Sequence, residues 1–280
     1  MPPSRRPPVP EIPMADDSLP ADYLDRFSGI GRLYGESALT RLNRAHVAVI
    51  GIGGVGTWTA EALARSGVGA ITLIDLDDVC VTNVNRQVHA LDGQIGRPKV
   101  DAMADRLRLI SPHCKVTAIS DFFTDASSER LLETAFDVVV DAIDNITHKA
   151  LLIARCHERG IPIIVSGGAG GKRDPSNLGI ADLSKATNDR LLKRLRKLLR
   201  REYGFPPEPT KEDFGMTAVF CDEKTVFPWA DGTVCGTPEP GTDLRLNCES
   251  GFGTAAFVTG VIGFAAAAEA VKSLVSGGTD

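Results

Sequence analysis

The chain has 280 residues, 43% of them hydrophobic and 24% charged, with a net charge of −5. That is the profile of an ordinary globular protein long enough to bury a sizeable core. An acidic balance argues against wholesale coating of nucleic acid, DNA included. Yet residues 190–201, RLLKRLRKLLRR, carry seven cations and no acid, and removing those seven charges from −5 leaves −12 on the rest. None of the six cysteines forms a C-x-x-C pair, so no zinc site is expected, and without a secretory segment they read as free thiols of a cytoplasmic protein.

Residues 1–21 are proline-rich with no apolar segment and are expected to be a disordered leader. Residues 22–280 are expected to form one domain, with a nucleotide-binding core at 46–171 and an elaboration at 172–280. Residues 22–45 suggest one or two helices interrupted by Gly29, Gly31 and Gly35. Lying ahead of the first strand, they are a candidate for reaching a neighbouring subunit.

The chain is organised around residues 46–65, HVAVIGIGGVGTWTAEALAR. A β-branched run at 47–50 predicts a strand, Gly51, Gly53 and Gly56 give G-x-G-x-x-G with Gly54 inside it, and 57–65 predict a helix. Such a turn brings backbone and a helix N-terminus to a phosphate. Asp75 closes the next strand 19 residues after Gly56, where a carboxylate accepts ribose hydroxyls of NAD or ATP alike. Asn83, Arg86 and Gln87 follow as N-x-x-R-Q, and Lys99 opens a helix after Pro98. Two cations beside the turn suit a triphosphate whose charge grows on leaving pyrophosphate better than they suit a dinucleotide.

Helices are then predicted at 99–110, 127–134 and 146–159, with strands at 115–120, 138–141 and 161–166. This alternation predicts a Rossmann-like, doubly wound α/β fold with a mainly parallel sheet. Its crevice should lie at the carboxyl ends of the strands. In VVVDAIDN, Asp144 stands past a strand end as a candidate Mg²⁺ ligand or helix cap, and Asp141 as a turn cap. Beyond GGAGG at 167–171, strands are predicted at 178–183 and 217–227, a basic helix at 188–203 and a long irregular connection at 228–251. The last predicted helix, 252–275, starts with 17 uncharged residues rich in alanine and glycine. It is short of a bilayer span, and a buried helix packed through small side chains is favoured over a membrane anchor.

GIGGVG, Asp75, DLDDVCVTNVNRQ (which contains Asp77), RPKV and DAIDN resemble the ubiquitin-activating-enzyme-like superfamily, the adenylating fold shared with the molybdopterin and thiamine sulfur-carrier activators. The resemblance implies ATP over the glycines, Asp75 on the ribose, Arg86 and Lys99 on the phosphates and Mg²⁺ on Asp144. It also implies a homodimer, because Arg32 in RFSGIGRLYGE matches an arginine that these enzymes insert from the partner subunit. Within the superfamily, RLYGE, DDVCVTNVNRQVHAL, GGAGG, FPWADGTVCG and SGFGTAAFVTG resemble the bacterial tRNA threonylcarbamoyladenosine dehydratases. That likeness implies ATP-driven cyclisation of the threonyl carboxylate of the modified adenosine beside the anticodon into an oxazolone ring.

A tRNA substrate fits the basic helix. Leu191, Leu192, Leu195, Leu198 and Leu199 form an apolar stripe, leaving Arg190, Lys193, Arg194, Arg196, Lys197, Arg200 and Arg201 largely outward. Cys235 lies where ubiquitin-type relatives keep a thioester cysteine, with no histidine nearby to activate it. A structural or partner-contact role is preferred for it. The alternatives are activation of a small sulfur-carrier protein, a nucleotide-holding scaffold for a cysteine desulfurase or its sulfur-acceptor protein, and, least favoured, a dehydrogenase.

Overall fold

A computed structural model describes residues 19–210, 212–241 and 252–276. Most of the leader and residues 242–251 of the long connection lie outside the described residues. The chain begins with two helices, α1 (Ala21–Tyr34) and α2 (Glu36–Arg44), divided at Gly35, whose φ of 90° breaks the helical path. Then follow β1 (His46–Ile50), α3 (Gly54–Arg65), β2 (Ala70–Ile74), α4 (Lys99–Ile110), β3 (Lys115–Ile119), α5 (Asp125–Leu131), β4 (Val138–Asp141), α6 (Ile146–Glu158) and β5 (Ile163–Ser166). The C-terminal part adds β6 (Leu178–Asp182), α7 (Arg190–Glu202), β7 (Thr217–Cys221), a two-residue hairpin of β8 (Phe227–Pro228) and β9 (Val234–Cys235), and α8 (Ala256–Ser276).

Seven strands form one sheet in the order β3-β2-β1-β4-β5-β7-β6, parallel except for the pair β6 and β7. The doubly wound fold expected from the alternation is therefore present. Burial on both faces explains the uninterrupted apolar run of β1. Val47 and Val49 pack with Leu63, Met103 and Ile262 on one side, while Ala48 and Ile50 pack with Val139, Leu152 and Leu192 on the other. Strand order reverses between β1 and β4, so the crevice opens above their carboxyl ends. Register brings those ends level, with Ile50 beside both Ile74 and Asp141.

Helix α8 is long and apolar enough to cross a membrane by length and composition, yet more than half of it is buried within the fold. Its small side chains are the reason it packs closely: a Cβ on Gly263 would stand 2.7 Å from the Val55 carbonyl oxygen and 2.8 Å from Trp58 Cβ. Among the expected boundaries that move, the larger shifts have local reasons. Helix α3 starts at Gly54 rather than at 57, because the turn enters helical conformation inside the glycine run. Helix α5 spans 125–131 rather than 127–134, because Thr124 and Ser127 form a capping box that fixes its start. Strand β7 stops at Cys221 rather than at 227, since the Asp222 carboxylate turns to accept from Thr187 Oγ1 and Asn188 Nδ2. Helix α8 begins at Ala256 rather than at 252, because Gly253 and Thr254 accept hydrogen bonds from Gly171 N and Asn85 Nδ2.

Candidate nucleotide site

A cavity of about 300 Å³ lies above the reversal point of the sheet. Gly51, Gly53 and Gly54 from the turn after β1 line it. Gly51 has φ 92°, and a Cβ there would meet the Ala142 carbonyl oxygen at 2.6 Å. Gly56 does not line the cavity. It closes the turn on itself, since a Cβ at that position would stand 1.8 Å from the Gly51 oxygen. The glycines therefore let three backbone segments converge as well as leaving room for a ligand.

Asp75 reaches the cavity from the end of β2 and organises the turn, accepting from Ile52 N at 2.6 Å and Asp77 N at 2.8 Å. Burial pushes its carboxyl above the ordinary aspartate range, opposed by the nearby Lys99 charge and these hydrogen bonds. Behind the same turn, His89 is 2% exposed and its Nε2 is 3.3 Å from the Ile52 carbonyl. Burial pulls its pKa down to about 4, so the ring is neutral at pH 7 and fit to donate to that carbonyl.

Lys99, at the first position of α4, is buried to its ammonium, which lies 2.7 Å from Asp77 Oδ2. Arg86 donates to the Thr82 carbonyl at 2.8 Å and to Asn85 Oδ1 at 3.1 Å, and its own carbonyl accepts from Trp58 Nε1 at 3.0 Å. Gln87 is buried, and its Oε1 has no hydrogen-bond partner among the described residues. Asp77, Arg86, Gln87 and Lys99 all line the cavity. Asn83 does not: it is buried and its Oδ1 accepts from Cys80 N at 3.0 Å, which shapes the loop that presents Arg86.

The cap of α6 falls to the neighbour of Asp144. Asn145 Oδ1 caps α6 by accepting from Thr147 N and His148 N, leaving the exposed Asp144 carboxylate to line the cavity. Asp141 caps the following turn as expected, accepting from Ile143 N at 3.1 Å. Arg32 is exposed in the last turn of α1 and does not line the cavity of its own protomer. Among the described residues no three His, Cys, Asp or Glu side chains gather as a metal cage. Asp144 lines the cavity together with Asp75, Asp77 and Asp121, and Mg²⁺ is a cation that binds through one or two carboxylates together with phosphate oxygens.

Sequence reasoning missed several lining residues. Asp121, Phe122 and Phe123 come from the loop after β3, His148 from α6, and Phe252, Thr254 and Thr259 from the approach to α8 and its first turns. The wall from Ser166 to Gly170 carried a visible glycine signal. It is tied to α7 by Asp189, whose Oδ2 accepts from Gly168 N and whose Oδ1 accepts from Leu192 N, both at 2.8 Å.

On α7, Leu191, Leu192, Leu195 and Leu199 are buried as the stripe predicts. Five cations, Arg190, Lys193, Arg194, Lys197 and Arg201, are exposed. The other two depart from the expected outward face. Arg196 is half-buried with Nη1 on the Leu183 carbonyl, and Arg200 bonds the Pro206 carbonyl and lies 5.2 Å over the Phe214 ring. Cys235 pairs with Phe227 in the small hairpin, away from the cavity lining.

The model of the ThiF family matches residues 28–280. The chain is 46% identical over 255 residues to the tRNA threonylcarbamoyladenosine dehydratase of Escherichia coli (strain K12), covering 91% of this chain and 95% of that protein. It is equally similar to the Haemophilus influenzae enzyme of the same name, at 46% over 254 residues with the same coverage. The crystal structure of the E. coli tRNA N6-threonylcarbamoyladenosine dehydratase in complex with ATP superposes with a TM-score of 0.81 at 41% identity, covering 92% of this chain and 97% of that one. A glycine turn at the sheet's reversal point, two cations beside it and near full-length similarity agree: the chain belongs to the ThiF family.

Proposed function

We infer that the chain is an ATP-dependent tRNA threonylcarbamoyladenosine dehydratase, a ligase-type enzyme releasing AMP and pyrophosphate. The observation that carries this reading is the buried Lys99 ammonium and the Arg86 guanidinium lining one cavity with the glycine turn. In the reaction, the threonyl carboxylate attacks the α-phosphorus of ATP and pyrophosphate leaves. The carbamoyl group then displaces AMP from the mixed anhydride and closes the ring, so one water is lost overall. Activation is needed because a carboxylate oxygen is a poor leaving group, whereas AMP is a good one.

The protein's own residues bind and orient. Gly53 and Gly54 admit the phosphates, Asp75 faces the ribose, and Gln87 lines the cavity wall beside them. Lys99 and Arg86 oppose the charge that accumulates on pyrophosphate, an effect magnified in a partly dehydrated site. Mg²⁺ held by Asp144 would neutralise phosphate charge. Arg32, exposed on α1, reaches the cavity of a second protomer in a homodimer. Arg190, Lys193, Arg194 and Lys197 supply a phosphate-contacting face for tRNA, and a sulfur-acceptor protein is a further partner. A tRNA substrate places the enzyme in the cytoplasm.

The test is direct. Incubation with ATP, Mg²⁺ and modified tRNA should remove one water from the nucleoside, read by mass spectrometry. An unchanged nucleoside, together with pyrophosphate exchange that depends on a protein ending in Gly-Gly, would instead assign a sulfur-carrier activator.

A further inference from the structure

Beneath the Asp144 loop lies an ion pair that the reaction described above does not use. Asp141, the last residue of β4, and Lys149, in the second turn of α6, are both wholly buried. The Lys149 ammonium is 2.8 Å from Asp141 Oδ2, an ion-pair contact off the hydrogen-bonding direction. Its aligned bond goes to the Ile143 carbonyl at 3.0 Å, while Asp141 Oδ1 accepts from the Ile143 amide at 3.1 Å. One residue, Ile143, is thus held at its N–H and its C=O by the two members of one buried pair, immediately before Asp144.

A buried ion pair is a poor stability device, because desolvating two charges cancels much of their attraction. Burial accordingly pushes the Asp141 carboxyl up, against the pull of Lys149. The other buried carboxylate within electrostatic reach of Lys149, Asp189, is already committed to the Gly168 and Leu192 amides. The held segment also has little freedom to move. Its Ala142 carbonyl abuts Gly51, and Ala142 Cβ lies 3.3 Å from where a Cβ on Gly56 would be. A shift of this loop would therefore disturb both the carboxylate and the phosphate turn.

We propose that Asp141 and Lys149 are positioning residues that lock the Ile143 peptide and so fix the Asp144 carboxylate in the cavity. The inference rests on the reading that Asp144 holds Mg²⁺. The experiment compares the full-length protein with Lys149→Met and Asp144→Asn by hydrogen exchange of the segment 141–146 and by the Mg²⁺ concentration giving half-maximal turnover. If Lys149→Met does not fold, the neutral pair Asp141→Asn with Lys149→Met, which leaves no unpaired buried charge, takes its place. In the Lys149 variant, exchange in the segment should rise about tenfold or more, as in locally released structure. Its Mg²⁺ requirement should rise by about 10-fold to 100-fold, as when a partner of a metal ligand is lost. Exchange in β2, away from the clamp, should stay the same, which global destabilisation would not allow.

Unchanged exchange overturns the proposal. So does faster exchange with an unaltered Mg²⁺ requirement where Asp144→Asn raises that requirement. If Asp144→Asn leaves the requirement untouched, the metal reading of Asp144 falls, and the exchange result alone decides the clamp.

Discussion

The cations of the cavity and those of α7 are the same chemical groups in opposite settings. Lys99 has 8% of its side chain exposed and a carboxylate 2.7 Å from its ammonium, and Arg86 is tied to a carbonyl and an amide oxygen of its own loop. Lys193, Arg194 and Lys197 project from a helix whose buried leucines fix the backbone but leave the charged heads in solvent. Groups held before the ligand arrives cost no reorganisation when charge develops in a transition state. Groups free in water chiefly release counterions, which yields affinity that salt erodes and little sequence reading. In the function proposed above, the first set serves chemistry and the second adhesion.

Substitutions can break that contrast. The largest effect is expected inside the cavity: Lys99→Ala or Arg86→Ala should lower turnover on the order of 10²-fold, the loss of one preorganised charge-stabilising donor. Single-turnover kinetics with saturating tRNA checks this, and full retained turnover would remove either residue from the phosphate site.

Next is the support behind the glycine turn. His89 is neutral in the fold with a pKa of about 4 against an ordinary 6.5. As pH falls from 6.5 to 4 the unfolded chain takes up a proton that the folded chain refuses. Stability contributed by the neutral ring is therefore intact above pH 6.5 and lost on acidification, by at most about 3 kcal/mol. Asp75, Asp141 and Asp189 have carboxyls raised by burial. They act with opposite sign, the folded state binding protons first. Urea unfolding of the wild type and His89→Gln at pH 7 and pH 4.5 isolates the histidine: the fall in stability should be smaller in the variant.

On α7 the effects are smaller and depend on salt. Replacing Lys193, Arg194 and Lys197 together with glutamine should reduce the slope of log affinity against log salt by about 2, at roughly 0.7 per phosphate contact on single-stranded RNA. An unaltered slope would take this face off the RNA. The smallest change is expected at Arg201, already paired with Glu202 at 2.5 Å, where Arg201→Gln should leave RNA binding nearly unchanged in the same titration because the Glu202 carboxylate offsets its charge towards a phosphate.

The legible part of the site follows the same division. Gly51, Gly53, Gly54, Asp75, Arg86, Gln87, Lys99 and Asp144 were readable because each sits at a strand end or on a loop whose spacing fixes its reach, and all line the cavity. Asn83 sits in the same motif but is consumed by the backbone of Cys80, an intraloop bond that spacing alone does not reveal. Phe122, Phe252 and Thr259 reach the cavity only through tertiary packing, from the loop after β3 and from the docking of α8 on α3. On the basic helix the stripe of leucines was readable at 3.6-residue spacing. That Arg196 and Arg200 turn back was not, because their partners Leu183 and Pro206 lie on loops at either end of α7.

A crystal of the protein soaked with ATP tests most directly whether the held cations serve the nucleotide. The phosphates should lie over Gly53 and Gly54 within hydrogen-bonding reach of the Lys99 ammonium and the Arg86 guanidinium, with the ribose at Asp75. ATP bound with its phosphates away from both side chains would contradict the account.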